Sequence, residues 1–191
     1  MVMKANILII CGAQKTYISE GRFNRSLTTE AETFLGGAHP VRTTLVEDGY
    51  DPEEEREKWL WADSVILQFP VFWFSCPAPL KAYMDTVYIR KVFYDKADTY
   101  GGGGLLTGKT YMLSTTWNAP EGAFGDPETF YNGLDVDEAL VAMHKAHQYI
   151  GMTPLPSFTV YNVIGDPNYE TQKQRFQDHL HAVYGRGDSG A

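Results

Sequence analysis

The chain has 191 residues, enough to bury one sizeable core in a single domain. Its net charge of −8 argues against nucleic acid as a partner, since phosphate backbones would be repelled, and no Lys/Arg run marks an anionic membrane surface. Aromatic residues make up 14% of the chain, which leaves two accounts: a bulky core, which composition by itself favours, or a flat ligand that needs stacking partners.

The N-terminal apolar run is too short for a signal peptide, and no stretch reaches the length of a membrane span. Neither Cys11 nor Cys76 has a partner at metal-ligand spacing, and a disulfide scaffold is not expected in a chain of this size. A reducing cytoplasm is the expected location.

In chain order, NILIICG (6–12) is a continuous apolar run ending at Gly12, the pattern of a strand buried on both faces. Phe23, Leu27, Ala31, Phe34 and Leu35 then recur at helical spacing. Residues 41–50, 64–69, 110–116 and 157–163 read as four further strands. Leu80, Tyr83, Met84 and Val87 mark a helix, as do Val136, Leu140, Met143, His147 and Ile150, which stops at Gly151. Phe176, Leu180 and Val183 mark the last one. The segment from Lys91 to Lys109 has no clear period and carries four glycines at 101–104, so it is a long connection. Residues 1–184 are expected to form one domain and 185–191 a disordered tail. Five apolar strands alternating with helices predict a parallel sheet covered on both faces.

Ligands of open parallel sheets bind beyond the carboxyl ends of the strands. After the first strand, a loop of about ten residues leads to a helix starting near Arg22; Ser19, Ser26, Arg22 and Arg25 surround a helix N-terminus that suits a phosphate, with Ser19 as a plain N-cap the equal alternative. The spacing there is neither of the two common glycine-rich nucleotide motifs. After the third strand, Phe72, Trp73 and Phe74 stand where a soluble chain should turn polar: a plug or dimer contact, or a platform for a planar ring. After the fourth, Thr115, Thr116, Trp117 and Asn118 form either a capped turn or a donor edge for a heterocycle. A phosphate cradle, a ring platform and a donor edge on neighbouring strand ends together fit a flavin nucleotide on a flavodoxin-like doubly wound five-stranded sheet, order 2-1-3-4-5.

The stretches QFPVFWFSCPAPLKAYMDTV and RFNRSL resemble the flavin-dependent NAD(P)H:quinone oxidoreductases. KWLWADSVILQFPVFWF, YGGGGLLTGKTYMLSTTWNAPEGAF and HKAHQYIGMTPLPSF are similar to the bacterial modulator of drug activity B group of that family, and the likeness spans nearly the whole chain. The resemblance implies bound FAD, with FMN the lesser alternative, and NADPH or NADH as hydride donor. Matched position by position, it implies a pyrophosphate loop of Ser19, Glu20, Gly21, Arg22, Phe23, Asn24, Arg25 and Ser26. It implies a ring-contacting turn of Val71, Phe72, Trp73 and Phe74, a contact from Tyr100, and an edge-binding strand end of Thr116, Trp117, Asn118 and Ala119. Hydride would pass to the flavin and then to a quinone, with Thr116, Trp117 and Asn118 holding charge at the N1/O2 edge. The glycines of the mammalian-type segment are replaced by Trp117 and Asn118, Phe124 falls near its tyrosine position, and no histidine follows nearby, so no Tyr/His proton relay is implied. His144 and His147 lie three apart, His147 expected against the sheet and His144 at the surface, with no third ligand for a metal. A homodimer is expected, its seam covered by aromatics. The alternative function is a flavodoxin-type electron carrier working through a protein partner.

Overall fold

The computed structural model describes residues 4–17 and 19–185. The expected tail therefore lies outside the described residues, apart from Gly185.

β1 (Ile7–Cys11) is flanked by β2 (Val41–Leu45) and β3 (Ser64–Pro70), and β4 (Thr110–Thr116) pairs with β3, all in parallel. The fifth lane is split: β5 (Thr153–Pro154) pairs with the start of β4, and β6 (Phe158–Val160) with its end. The order is the expected 2-1-3-4-5. The single strand expected over 157–163 is thus shorter and broken. Pro154 and Pro156 cannot donate to a ladder, which edge strands tolerate, and Asn162 turns away in the left-handed region at φ 50°. Likewise β2 stops at Leu45, where Val46–Asp48 form a 3-10 turn closed by Gly49.

Strand alternation sorts the core into two layers. Ile7, Ile9, Ile66, Met112 and Val160 face α1 (Arg22–Gly36) and α6 (Tyr169–Tyr184). Leu8, Ile10, Val65, Leu67, Tyr111 and Leu113 face α2 (Pro52–Trp61), α3 (Ala78–Val87) and the pair α4 (Val136–Ala139) and α5 (Val141–Tyr149). The helix expected over 136–150 breaks at Leu140 after a capping box of Asp135 and Glu138.

α2 has no counterpart among the expected elements. Asp51 caps it, Pro52 opens it and three glutamates fill its first turn. Its inward face carries Glu55, 1% exposed, which breaks any apolar period. That carboxylate accepts from Thr44 Oγ1 (3.0 Å) and Tyr83 (2.7 Å) and pairs with Lys58 (2.5 Å). His147 is buried as expected, but His144 is also buried: the Tyr111 hydroxyl lies 2.8 Å from its Nδ1 and Asp137 Oδ1 lies 3.2 Å from its Nε2. The 88–109 connection is anchored by buried Phe93 and Leu106. Gly104 packs so closely on Gly151 that a Cβ there would lie 2.2 Å from the Gly151 nitrogen. No helix among the described residues is long and apolar enough to cross a membrane.

Candidate active site

The carboxyl ends of β1, β3, β4 and β6 meet at one cavity of about 700 Å³. The loop after β1 contributes Thr16, Tyr17, Ser19 and Gly21, and α1 contributes Phe23 and Asn24. Pro70, Val71, Phe72 and Trp73 come from the end of β3, Thr116 and Asn118 from that of β4, and Val163 and Ile164 from beyond β6.

The first wall is a tightly folded loop. Thr16 N–H donates to Ser19 O (2.7 Å), Ser19 N–H to Thr16 Oγ1 (3.1 Å), and Gly21 N–H to Ser19 Oγ (3.2 Å). Ser19 is therefore not the helix cap. That position is Gly21, in the left-handed region at φ 68°, with no side chain capping the helix and no acidic residue in the first turn. A Cβ at residue 21 would also sit 3.2 Å from Gln14 O. The start of α1 thus presents a partial positive charge to the cavity with no acidic residue in its own first turn to answer it. In the same loop, Gln14 Oε1 is buried without a hydrogen-bond partner among the described residues.

The charged residues expected here lie outside the cavity wall. Arg25 bridges Asp48 (2.8 Å) and Glu47 (2.9 Å), and these two carboxylates hold its guanidinium firmly charged. The Lys15 backbone N–H and then Arg25 hold Glu47 below the usual carboxylate range. Together they tie α1 and its loop to the turn after β2. Glu20 pairs with Lys15 (2.9 Å), and neither Arg22 nor Ser26 is among the residues that line the cavity.

The second wall answers why three aromatics follow β3. Phe72 N–H donates to Ser75 O (2.9 Å) and Ser75 N–H to Phe72 O (3.1 Å), closing a two-residue hairpin turn. Its central residues, Trp73 (φ 49°) and Phe74 (φ 66°), are both left-handed, where such turns normally place Asn-Gly. Trp73 is 93% exposed and has no ring partner among the described residues. Phe74 turns outward, stacking on Phe130 at 5.6 Å. Bulky residues held in left-handed backbone concentrate at functional sites.

The third wall divides by strand alternation. Thr116 and Asn118 line the cavity, while Trp117 between them is 3% exposed and packs edge-on against Phe124 at 5.1 Å. Its indole N–H donates to Thr115 Oγ1 (3.0 Å) and its backbone N–H to Val160 O (2.8 Å), so neither is offered to a ligand. The Asn118 N–H has no acceptor among the described residues. Ala119 O accepts from Asn162 N–H (3.1 Å), pinning the loop after β6 against the site.

Tyr100 is not brought to this cavity. It lies 98% exposed beside a second cavity of about 960 Å³ between α3 and α5, its ring 5.7 Å from Tyr149. Conversely, Thr16, Tyr17, Pro70, Val163 and Ile164 line the site but were not expected there. Exposed Tyr17 and Ile164 carry a usable signal, since each is a large apolar residue in a polar turn beyond a strand end.

A family profile described as flavodoxin-like fold matches residues 5–183. An uncharacterized protein of Schizosaccharomyces pombe is 40% identical, covering 96% of this chain and 99% of its own. The NADPH:quinone oxidoreductase MdaB of Haemophilus influenzae is 37% identical over 94% of this chain and 100% of its own. General stress protein 14 of Treponema denticola, solved in complex with FMN, shares the fold at TM-score 0.65 and 20% identity, over 93% of this chain and 98% of that one. The chain belongs to the flavodoxin-like family of NAD(P)H:quinone oxidoreductases.

Proposed function

We propose that the cavity holds a flavin nucleotide and that the protein reduces quinones with NAD(P)H. One observation carries this reading: an uncapped helix N-terminus and an exposed tryptophan in strained backbone face one cavity, with an unsatisfied donor edge between them. A bound flavin supplies the hydride relay, from NAD(P)H in one half-reaction to a quinone, leaving a hydroquinone, in the other.

In this reading the N–H groups at the start of α1 hold the phosphate, and Gly21 supplies the left-handed turn that leads the chain into that helix. Phe72 and Trp73 wall one face of the ring and exclude water. Asn118 N–H and the Thr116 hydroxyl donate to the polar ring edge, stabilising negative charge as it develops there. Trp117 and Ala119 hold that edge in place from behind. The ring and first phosphate are common to FAD, which the resemblance implies, and to FMN, which the Treponema protein holds.

Exposed Tyr17, Trp73 and Phe130 support a homodimer that covers the open side of the site, and two free buried cysteines suit a reducing cytoplasm. Sedimentation tests the dimer. Heating the purified protein and identifying the released chromophore by mass tests the central reading and separates FAD from FMN. A colourless protein that takes up neither would refute it.

A further inference from the structure

Beneath the cavity floor the sheet face that packs on α1 changes character. Ile66 and Met112 are apolar, but one step further along their strands stand Gln68 and Ser114, 1% and 0% exposed and paired in register. Asn24 descends from α1 to meet them, 4% exposed. Ser114 Oγ donates to Gln68 Oε1 (2.6 Å), Gln68 Nε2 to Asn24 Oδ1 (2.7 Å), and Asn24 Nδ2 to Thr116 Oγ1 (2.9 Å). Every donation runs the same way, from the sheet interior toward the cavity. Both ends of each amide are used, so Thr116 receives an N–H and keeps its own O–H for the cavity it lines.

We propose that Ser114 and Gln68 are positioning residues, acting through Asn24 to fix the Thr116 hydroxyl as a donor to an acceptor atom on the ring edge of the bound flavin. The inference rests on the flavin reading above. Each bond in such a chain polarises the next, so the terminal O–H donates more strongly than an isolated threonine would. Its hold tightens as negative charge grows on the acceptor, which favours the reduced ring over the oxidised one. A core-filling role alone would be served as well by apolar residues continuing the Ile66–Met112 row.

A double-mutant cycle on the full chain tests this, read as the dissociation constants of FMN and of FAD by quenching of flavin fluorescence, and as the midpoint potential of the bound flavin. Thr116→Val is expected to weaken binding about tenfold, the scale of one lost hydrogen bond, and Thr116→Ser to retain it. Gln68→Met, which never touches the cavity, is expected to weaken binding about threefold and lower the potential when Thr116 is present. In the Thr116→Val background it should change neither. Should Gln68→Met fail to give a native circular dichroism spectrum, Ser114→Ala replaces it with the same expected pattern. Equal effects of the distal variant in both backgrounds, or none in either, overturn the inference while leaving the flavin reading intact. A parent protein that takes up neither flavin overturns both.

Discussion

Replacing Trp73 by Asn should make the protein more stable and a poorer flavin binder at once. Trp73 sits at φ 49° with 93% of its surface exposed, so its side chain adds no packing to the folded chain. A non-glycine residue in this region costs about 1–2 kcal/mol, and Asn, which tolerates it, should recover about 1 kcal/mol. For a chain of this length that raises Tm by about 2–4 °C. The same change removes a ring wall, and loss of a stacking partner worth about 1 kcal/mol beyond its buried area should weaken flavin binding roughly tenfold. Calorimetry of the flavin-free protein reads the first effect and fluorescence titration the second. Neutral or lowered stability would show that the turn holds no strain. Unchanged flavin affinity would show that the exposed ring is not a wall of the site.

Three predictions concern the scaffold. His147 Nδ1–H donates to Met143 O (2.7 Å), so its Nε2 accepts from the Tyr88 hydroxyl (3.0 Å), and burial holds the imidazole at about 4. Because the unfolded chain takes up that proton near its ordinary value of about 6.5, stability should be full above pH 6.5 and fall by about 3 kcal/mol toward pH 4. His179, also held low by burial, titrates in the same direction, so the assay is the difference in denaturant unfolding between the parent and His147→Phe; equal slopes against pH would refute the assignment. Glu55→Leu, which removes the acceptor of Thr44, Lys58 and Tyr83, should cost about 2–3 kcal/mol in urea unfolding, with Glu55→Gln losing less. Gly104→Ala drives a Cβ into the Gly151 backbone and should cost about 2 kcal/mol by the same assay; a neutral result would mean the 88–109 connection is not clamped there.

The strands and most helices were legible because strands buried on both faces write continuous apolar runs and amphipathic helices a 3.6-residue period, and the sheet order came from the flavodoxin-like arrangement. Helix α2 escaped because its inward position is a glutamate satisfied by partners from β2, α2 and α3, a tertiary arrangement that leaves no apolar period. The split edge lane follows from two prolines whose effect depends on pairing, not on local pattern. At the site, the positions of the aromatic turn after β3 and of the Thr116–Asn118 segment after β4 could be placed from strand ends alone. Trp117 was grouped with Thr116 and Asn118 by proximity, although period-2 alternation already puts it on the opposite face with Tyr111 and Leu113. Arg25 looked like a phosphate ligand because the sequence does not reveal that Glu47 and Asp48 fold back against it. The aromatic surplus divides in two: Trp59, Tyr83, Phe93 and Tyr111 fill the core, while Trp73 and Tyr17 open on the cavity.

Anaerobic addition of NADPH to the protein after loading with flavin, followed by an equimolar quinone, is the most direct measurement of whether this cavity carries out two-step reduction. The visible flavin band should bleach with the nicotinamide and return with the quinone, both phases slowing in Trp73→Asn and Thr116→Val. A band that NADPH leaves untouched, or a bleached band that quinone fails to restore, would contradict the proposed chemistry.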